Sequence, residues 1–477
     1  MAITRRTFLK GSFASAAVVS LPPTARALGA NNDIRLAVVG TGGQGTGHVK
    51  RAIRAKGVRV VAVCDADTTH MARAAKYAEG AKKGKVKQYQ DVRKLMDDKD
   101  IDAIITATPN HWHSLVGIWA CQAGKDIYIE KPLSHNIFEG RKLVEAAKKY
   151  KRIVQHGTQT RSDSYIHNLK KFLATGKIGK IVCVRGLCYK PRGSIGNVTT
   201  PTKIPPHIDY DMWCGPAAKV PLMRKRLHYD WHWFWDTGNG DMGNQGVHEM
   251  DQARWMLGDP VAPTRVISIG GRLGYEDDGQ TANTQMVFLD YKPAPLIFET
   301  KGLPESKKGG RPHYRGCRIG IVVECEGGYF AGKHGGKVFD NECKVVTTIR
   351  GGGAGNHPAN FYKAVRSRKA GDVPSDALSG HLSCTLIHMG NISHRLGTKT
   401  PDGEIREKIK GNKPATETYG RLADHLDKNE VDIKKAAVTL GPWLEFDPKT
   451  ERFTNNDKAN KMVTRDYRKP FVVPEKV

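Results

Sequence analysis

The chain has 477 residues, which exceeds the usual size of one domain, so at least two domains are expected. Hydrophobic residues make up 39% of it, and no apolar run reaches the roughly 20 residues that a membrane-spanning helix needs. The formal net charge of +28 favours acidic partners, but the basic residues are scattered and no nucleic-acid-reading motif accompanies them, so no nucleic-acid partner is expected.

Residues 1–27 have the three parts of an export signal. Arg5 and Arg6 form a twin-arginine pattern, a weakly apolar run follows from Gly11 to Leu21, and Ala25-Arg26-Ala27 offers a small-residue cleavage site. The segment resembles twin-arginine (Tat) signals, which are recognised by a receptor in the export machinery. The resemblance implies that the protein folds first, with any cofactor inside, and is then exported to the periplasm or cell envelope.

The cysteines indicate folding in a reducing compartment. They are nine in number, no pair has CxxC spacing, and most lie in apolar runs such as Val61-Ala62-Val63-Cys64. We therefore predict buried free thiols rather than a disulfide framework or a zinc site.

Short strands alternate with helices in residues 33–157, which form the first predicted domain. Apolar β-rich runs occupy 34–40, 58–65, 103–108, 126–129 and 153–156. Helical stretches occupy about 48–56, 114–123 and 139–149. This alternation predicts an α/β domain with a parallel sheet wound on both faces.

Longer strands dominate residues 158–400, the second predicted domain, after one more helix at 165–175. The β-rich segments are 180–189, 264–273, 284–291, 296–301 and 318–324, and two late helices are expected at about 359–368 and 378–395. A run of strands after a βαβ half predicts an α+β domain built on one large, mostly antiparallel sheet. Residues 401–477 form a charged C-terminal extension with apolar anchors at 443–446.

A cofactor motif follows the first strand: Gly40-Thr41-Gly42-Gly43-Gln44-Gly45. Gly40 permits a tight turn, Gly42 lets the backbone approach a pyrophosphate, and Gly45 lets helix and strand pack closely. Asp65 ends the second strand, twenty residues after Gly45, where a carboxylate reaches ribose hydroxyls and repels a 2′-phosphate. The pattern predicts NAD rather than NADP as the cofactor.

Two further segments carry a family resemblance. Thr108-Pro109-Asn110-His111-Trp112-His113 precedes a run that ends in Glu130-Lys131-Pro132, and Trp213-Cys214-Gly215-Pro216 comes later. Together they closely resemble the Gfo/Idh/MocA oxidoreductases over most of residues 33–400. The resemblance implies a Rossmann domain, a second domain with an open-faced sheet, and an active site in the cleft between them.

The resemblance assigns Lys131 to the reacting hydroxyl and the nicotinamide ribose. An ammonium beside a hydroxyl that loses hydride stabilises the developing alkoxide, so Lys131 is a predicted catalytic residue. The residues predicted to bind the cofactor, beyond the glycine motif and Asp65, are Thr108, Asn110, His113, Glu130, Lys131 and Trp213.

A second constellation, residues 240–251, resembles the family's Asp-x-Gly-x-His-x-x-Asp pattern. His248 matches the family histidine and is the predicted general base, with a near-neutral pKa. Asn244 stands where the family usually has Asp, four residues earlier on the same helical face. An amide can position a hydroxyl but cannot remove its proton. The Asp–His pair that the family uses for dehydrogenation is therefore incomplete in this sequence.

Residues 227–236 are rich in aromatic and histidine side chains, including His228, Trp231 and His232. They suit either a sugar pocket, where aromatic faces stack on pyranose rings, or packing beneath a loop. Arg161 and Tyr165 are expected to reach the same cleft. No metal site is expected, because the His228/His232 pair lacks an evident third ligand.

Three functions remain open. The first is a sugar or polyol dehydrogenase that passes hydride to NAD. The second is a redox-neutral glycosidase that retains NAD, oxidises one hydroxyl, eliminates the aglycone, adds water and re-reduces the sugar. The third is a non-catalytic sugar-binding protein. We expect tightly bound NAD, a small sugar or glycoside substrate, and a homo-oligomer.

Overall fold

The computed structural model describes residues 33–81, 84–435 and 437–477. The predicted signal segment, 1–27, lies outside the described residues. All nine cysteines lie within them and are free thiols, as predicted, and Cys343 alone among them is exposed. No helix in the described ranges is long and apolar enough to span a membrane.

The first domain is built on six parallel strands, which confirms the predicted doubly wound sheet. The strands are β1 (Ile34–Val39), β2 (Val58–Cys64), β3 (Lys87–Tyr89), β4 (Ala103–Thr106), β5 (Asp126–Ile129) and β6 (Val154–His156), in the order β3-β2-β1-β4-β5-β6. The helices are α1 (Gly43–Ala52), α2 (Thr68–Glu79), α3 (Val92–Asp97), α4 (Asn110–Gln122) and α5 (Ile137–Lys149). β4 and β5 are buried along their whole lengths, because helices cover both faces of a parallel sheet.

Two features of this domain differ from the sequence prediction. Helix α1 begins at Gly43 rather than near residue 48, because the glycine-rich motif itself forms the first turn despite its low helix propensity. Helices α2 and α3 were not predicted. Asp67 and Asp91 accept hydrogen bonds from the first-turn amides of these two helices, which marks where each helix begins.

The second domain is built on a large mixed sheet. Its strands are β7 (Ile181–Tyr189), β8 (Arg265–Gly271), β9 (Thr284–Leu289), β10 (Leu296–Lys301), β11 (Ile319–Cys325), β12 (Gly328–Gly332), β13 (Gly336–Asp340), β14 (Val345–Ile349), β15 (Thr398–Thr400), β16 (Val438–Leu440), β17 (Leu444–Asp447) and β18 (Arg452–Phe453). The order is β14-β13-β12-β11-β7-β10-β9-β8-β16-β15, with β17 beside β8. β10 runs parallel to β7, and the other described pairings are antiparallel, as predicted.

Helices cover this sheet on both faces. The helices from residue 158 onward are α6 (Ser164–Ala174), α7 (Tyr210–Cys214), α8 (Val247–Met256), α9 (His357–Ser367), α10 (Ala377–Arg395), α11 (Asp402–Ile409), α12 (Lys413–Asp427) and α13 (Asp457–Lys461). Of these, α9 packs on the sheet of the first domain, where the ring of Phe361 lies 6.1 Å from that of Tyr128. α8 and α10 pack with Val266 and Val287 on one face, whereas α11 and α12 pack with Ile267 and Phe288 on the other. The expected open face is therefore partly covered by the C-terminal extension.

The C-terminal extension also reaches the first domain. Phe471 is buried, and its ring lies 5.4 Å from that of Trp112 on α4, measured between centroids. Arg468 donates to the carboxylate of Asp211 over 2.9 Å. These contacts bring α4 and α7 together, and both helices border the cofactor motif.

Candidate active site

The N-terminus of α1 meets the glycine motif without a side-chain cap. Gly42 makes no side-chain capping bond, and the first turn of α1 carries no acidic residue. A Cβ at Gly45 would lie 1.8 Å from the carbonyl oxygen of Gly40, and Gly40 has a φ of 76°, so both positions require glycine. The free amides and the helix dipole make this end of α1 suitable for a pyrophosphate.

A cavity of about 370 Å³ opens beside this helix end. Its lining includes Gly40, Gly42, Gly43, Gln44, Asp65, Thr108 and Trp213, which are predicted cofactor-binding residues. Among the described residues none hydrogen-bonds to the buried indole N–H of Trp213. The uncapped amides, this unpartnered donor and the apolar lining fit a dinucleotide.

Asp65 shapes the glycine motif as well as facing the cavity. Its Oδ2 accepts from the amide of Thr41 over 2.6 Å, and its Oδ1 accepts from the amide of Asp67 over 3.0 Å. Burial raises the pKa of Asp65, and these hydrogen bonds oppose the increase. The carboxylate therefore holds the turn in place at the position where the ribose is expected.

Glu130 holds the turn after β5 against α1. Its Oε1 receives hydrogen bonds from His48 Nε2 over 2.8 Å and Gln44 Nε2 over 2.9 Å. Burial would raise the pKa of Glu130, but the bond to His48 and the charge of Lys131 outweigh burial and hold it well below its usual range. This carboxylate thus contacts α1, and its contact with the cofactor stays a prediction.

Lys131 links the two domains. The Lys131–Pro132 peptide bond is cis, and Lys131 Nζ donates to the main-chain carbonyl oxygen of Asn244 over 2.5 Å. Burial lowers the pKa of Lys131, while the carboxylates of Glu130 and Glu249 oppose the decrease. The ammonium of Lys131 therefore lies against the second domain.

Asn244 belongs to a π-helical turn, Met242–Gly246, that leads directly into α8. Such turns widen a helix and are frequent at functional sites. The side chain of Asn244 is half-buried, and in the described part of the chain no partner hydrogen-bonds to it. Its amide is therefore available to a substrate hydroxyl.

His248 lies on the first turn of α8, one helical turn beyond Asn244. Burial lowers the pKa of His248 to about 3, and the positive charge of Lys131 adds to the effect. The near-neutral pKa predicted for this residue is therefore wrong, because the sequence does not reveal its burial. The imidazole is neutral at physiological pH and can accept a proton or a hydrogen bond.

Two acidic groups near Lys131 were missed by the sequence analysis. Burial raises the pKa of Glu249 to about 7, and Gln245 Nε2 donates to it over 3.0 Å. The carboxylate of Asp241 is bound by Arg192 at 2.5 and 2.9 Å. Asp241 therefore does not substitute for the carboxylate that Asn244 lacks. Glu249 directly follows His248 in the sequence, and this adjacency could have identified it as an active-site residue.

Arg161 and Tyr165 do not face the cleft, contrary to the prediction. Arg161 is buried, and its guanidinium donates to Asp251 over 2.9 Å and to Asp259 over 2.9 Å. Tyr165 is buried and donates to Gln252. Both side chains hold α8 against the segment that follows β6, so their role is structural.

The aromatic segment lies against the nucleotide cavity rather than in a separate sugar pocket. His228 and Trp231 line the cavity beside Gly42. His232 is buried, and its Nδ1 lies 2.6 Å from the carbonyl oxygen of Tyr229. The buried His232 therefore does not reach a substrate as predicted, whereas the substrate contacts of His228 and Trp231 stay predictions. His228 and His232 contact different groups, so their imidazoles do not share one metal site.

Asn110 and His113 support the site from behind. Asn110 Nδ2 donates to Asn239 Oδ1 over 3.0 Å. The ring nitrogens of His113 lie 2.6 Å from the Pro132 carbonyl oxygen and 2.7 Å from that of Thr108. Neither residue is among those lining the described cavity. Both side chains position the loops after β4 and β5, and their contact with the cofactor stays a prediction.

Comparison with known families agrees with this geometry. Residues 34–158 match a family profile described as "Oxidoreductase family, NAD-binding Rossmann fold", and residues 163–286 match "Oxidoreductase family, C-terminal alpha/beta domain". The first domain is therefore an NAD-binding Rossmann domain, and NAD is the cofactor that it accommodates.

Curated relatives include dehydrogenases and glycosidase-family proteins. The chain is 36% identical to inositol 2-dehydrogenase of Salmonella paratyphi B over 160 residues, which is 33% of this chain and 46% of that protein. It is 31% identical to glycosyl hydrolase family 109 protein 2 of Shewanella sp. strain ANA-3 over 166 residues, 30% of this chain and 36% of that protein. The matched region thus spans less than half of either relative.

Solved structures share the fold. Myo-inositol dehydrogenase from Lactobacillus casei, in complex with NAD(H) and myo-inositol, aligns with a TM-score of 0.51 at 20% identity. The alignment covers 76% of this chain and 95% of that one.

Proposed function

Since the chain belongs to the Gfo/Idh/MocA oxidoreductase family through residues 34–158 and 163–286, we propose that it transfers hydride between a sugar or polyol hydroxyl and NAD. The observation that carries the proposal is the contact between Lys131 of the NAD-binding domain and the π-helical turn before His248. That contact holds the ammonium against the turn that leads into α8, and the first turn of α8 carries the neutral imidazole of His248.

Each residue has a distinct task. Bound NAD supplies a hydride acceptor. The ammonium of Lys131 donates to the substrate oxygen and stabilises the alkoxide that develops as hydride leaves. The neutral imidazole of His248 accepts the hydroxyl proton, and the free amide of Asn244 orients a neighbouring hydroxyl.

A redox-neutral glycosidase is the second candidate, and Asn244 favours it. In this reaction a sugar carbinol loses hydride and a proton, which acidifies the adjacent carbon. Loss of the proton from that carbon expels the aglycone, water adds to the resulting double bond, and the same hydride returns to the ketone. No external oxidant is needed, and an amide at position 244 is compatible with a site that cycles a single hydride. The partial similarity to a family 109 glycosyl hydrolase supports this candidate.

We propose further that the protein is exported with NAD retained. Support comes from Arg5 and Arg6 of the twin-arginine pattern and from nine unpaired cysteines, which suit folding before export. An exported redox enzyme cannot count on free nucleotide, so the redox-neutral cycle in particular requires that the cofactor is retained.

The test is an assay of the pure protein with two simultaneous signals. Reduced nicotinamide is followed by absorbance and aglycone release by colour, on a panel of free sugars, polyols and aryl glycosides. A dehydrogenase produces reduced cofactor in proportion to added NAD. The glycosidase releases aglycone without net reduction and takes up solvent deuterium next to the transient ketone. Neither signal on any substrate would favour a non-catalytic binding protein.

Acid denaturation of the same preparation measures retention. The released nucleotide should approach one equivalent per chain. A yield near zero, with weak rebinding of added NAD, would contradict both retention and the redox-neutral cycle.

A further inference from the structure

Four side chains from two distant segments of the sequence converge at the rim of the nucleotide cavity. Asp67 Oδ2 lies 2.9 Å from His228 Nε2, 3.7 Å from His70 Nδ1 and 3.8 Å from His207 Nε2. The ligand atoms of Asp67, His70 and His228 all lie within 4.8 Å of one another. One carboxylate oxygen is therefore surrounded by three imidazoles.

The carboxylate is fixed with one oxygen turned toward the imidazoles. Asp67 Oδ1 caps α2, accepting from the amides of Thr69 over 2.8 Å and His70 over 3.1 Å. That leaves Oδ2 for the cluster, and the Asp67 side chain is only 4% exposed. The capping bonds therefore fix one ligand before any ion arrives, as supporting hydrogen bonds do in metal sites.

The distances from Asp67 Oδ2 to the three imidazoles are close to the ligand spacing of a tetrahedral transition-metal site. Zinc bonds to nitrogen and oxygen at about 2.0–2.1 Å, so ligand atoms of a tetrahedral site lie about 3.4 Å apart. The three contacts of Asp67 Oδ2 bracket that spacing. Imidazole-rich sites select zinc, copper, nickel or iron, whereas magnesium and calcium prefer oxygen ligands.

We propose that Asp67, His70, His207 and His228 form a binding site for a divalent transition metal, Zn²⁺ being the simplest occupant. The side chains of His207 and His228 are 43% and 39% exposed, so an ion can enter without unfolding the chain. From the sequence no metal site is expected, since these ligands come from α2 and from two positions in the segment between β7 and α8.

The site joins the two domains over the cofactor cavity. His70 and His228 line that cavity, and a Cβ at Gly42 of the glycine motif would lie 3.8 Å from the His70 ring. A β-bridge joins Asp67 to Ile208, and the amide of Asp67 donates to Asp65. An ion here fastens the second-domain segment across the nucleotide, so it should slow release of the cofactor.

The experiment uses the full-length protein, made metal-free with a chelator and titrated with Co²⁺ as a spectroscopic substitute for zinc. The wild type should give the intense visible bands of tetrahedral cobalt at one equivalent. His228→Ala and His207→Ala should each weaken Co²⁺ binding by at least about tenfold, and added Zn²⁺ should displace the cobalt. His207 is half exposed, so its variant should retain the fold, which circular dichroism checks.

His334→Ala is the matched control. His334 Nδ1 lies 3.0 Å from Asp163 Oδ2, and Asp163 also caps a helix, α6, but no second imidazole joins that pair among the described residues. Its cobalt binding should equal that of the wild type. The proposal would be contradicted if the wild type showed no tetrahedral cobalt bands, or if His334→Ala lost as much Co²⁺ binding as the two site variants.

The effect on cofactor retention is measured separately, as the rate of NAD release with and without Zn²⁺. Release should slow several-fold in the wild type and not in His207→Ala. An unchanged rate in metal-loaded protein would overturn the fastening role. The cobalt spectrum depends on neither NAD nor turnover, so a failure of the proposed enzymatic function is distinguishable from a failure of this site.

Discussion

The ammonium of Lys131 donates to the main-chain carbonyl oxygen of Asn244, at 2.5 Å, across 113 positions of the chain. The bond joins the turn after β5 in the NAD-binding domain to the π-helical turn before α8 in the second domain. Because the acceptor is main chain, the side chain at position 244 can change without moving Lys131. This geometry lets the contribution of that side chain be tested alone.

Asn244→Asp should move the pH dependence of turnover. A new carboxylate near Lys131 and His248 favours their charged forms and so raises both pKa values. The acid limb of the kcat/KM profile, which reports the free enzyme's essential base, should shift to higher pH. Asn244→Ala should leave that limb in place. A profile for Asn244→Asp that superimposes on the wild type would contradict the position given to residue 244.

Asp65→Ala should weaken NAD binding and relax cofactor choice. It removes a charged acceptor for the amides of Thr41 and Asp67 as well as the expected ribose contact. The loss should be about 1–3 kcal/mol of NAD binding free energy, the usual cost of hydrogen bonds to a charged group. Calorimetric titration with NAD and NADP measures it. A wild type that already prefers NADP would show that the ribose assignment is wrong.

Gly45→Ala should impair the nucleotide site far more than Gly47→Ala, although both lie in α1. A Cβ at position 45 meets the Gly40 carbonyl oxygen at 1.8 Å, whereas at position 47 the nearest atom is the end of the Arg51 side chain at 3.5 Å. Overpacking of this kind costs about 1–3 kcal/mol or more, whereas at the half-buried position 47 the higher helix propensity of alanine favours the substitution. Thermal melting and bound NAD measure both. Equal effects of the two substitutions would contradict the close approach.

Stability should fall as the pH is lowered from about 6.5. Burial lowers the pKa of five buried histidines to about 3 or about 4: His111, His156, His232, His388 and His425. Their folded pKa values lie below the unfolded value near 6.5, so the unfolded state binds more protons in this window. Each group then contributes a slope of up to about 1.4 kcal/mol per pH unit.

Two carboxyl groups oppose that trend. Burial raises the pKa of Glu139 and Glu249 to about 7, so their contribution is complete below their unfolded pKa and is lost as the pH rises toward 7. Because the histidines are more numerous, the net free energy of unfolding should decrease between pH 6.5 and 4.5. Urea titrations across this range measure it. Constant or rising stability on acidification would contradict the burial of these histidines.

The sequence predicted the framework well because that framework depends on local patterns. Alternating apolar runs revealed five of the six parallel strands, and the glycine motif located the cofactor turn. The hydrogen-bond partners of the predicted site residues could not be predicted, because those partners lie in distant segments of the chain. Arg161 was assigned to the cleft although Asp251 and Asp259 bind it. His228 was assigned to sugar although its partner is Asp67.

Other errors came from burial, which periodicity estimates poorly near loops. His248 was expected to have a near-neutral pKa, and its burial lowers that pKa to about 3. Gln44 and His48 lie four residues apart on one face of α1 and both reach Glu130. The four-residue spacing of Gln44 and His48 is visible in the sequence, but the sequence does not show that both side chains bind Glu130.

Single-turnover chemistry in Lys131→Ala and His248→Ala tests the central claim most directly. The measurement loads each protein with NAD and follows reduced nicotinamide and aglycone after adding a substrate that the wild type turns over, with Lys148→Ala, a change on the exposed side of α5, as the control. The account predicts that both site variants keep their nucleotide but lose about 10²–10⁴ in rate, the range for a lost acid–base group, while the control does not change. Wild-type rates in both site variants would contradict the placement of the active site between Lys131 and His248.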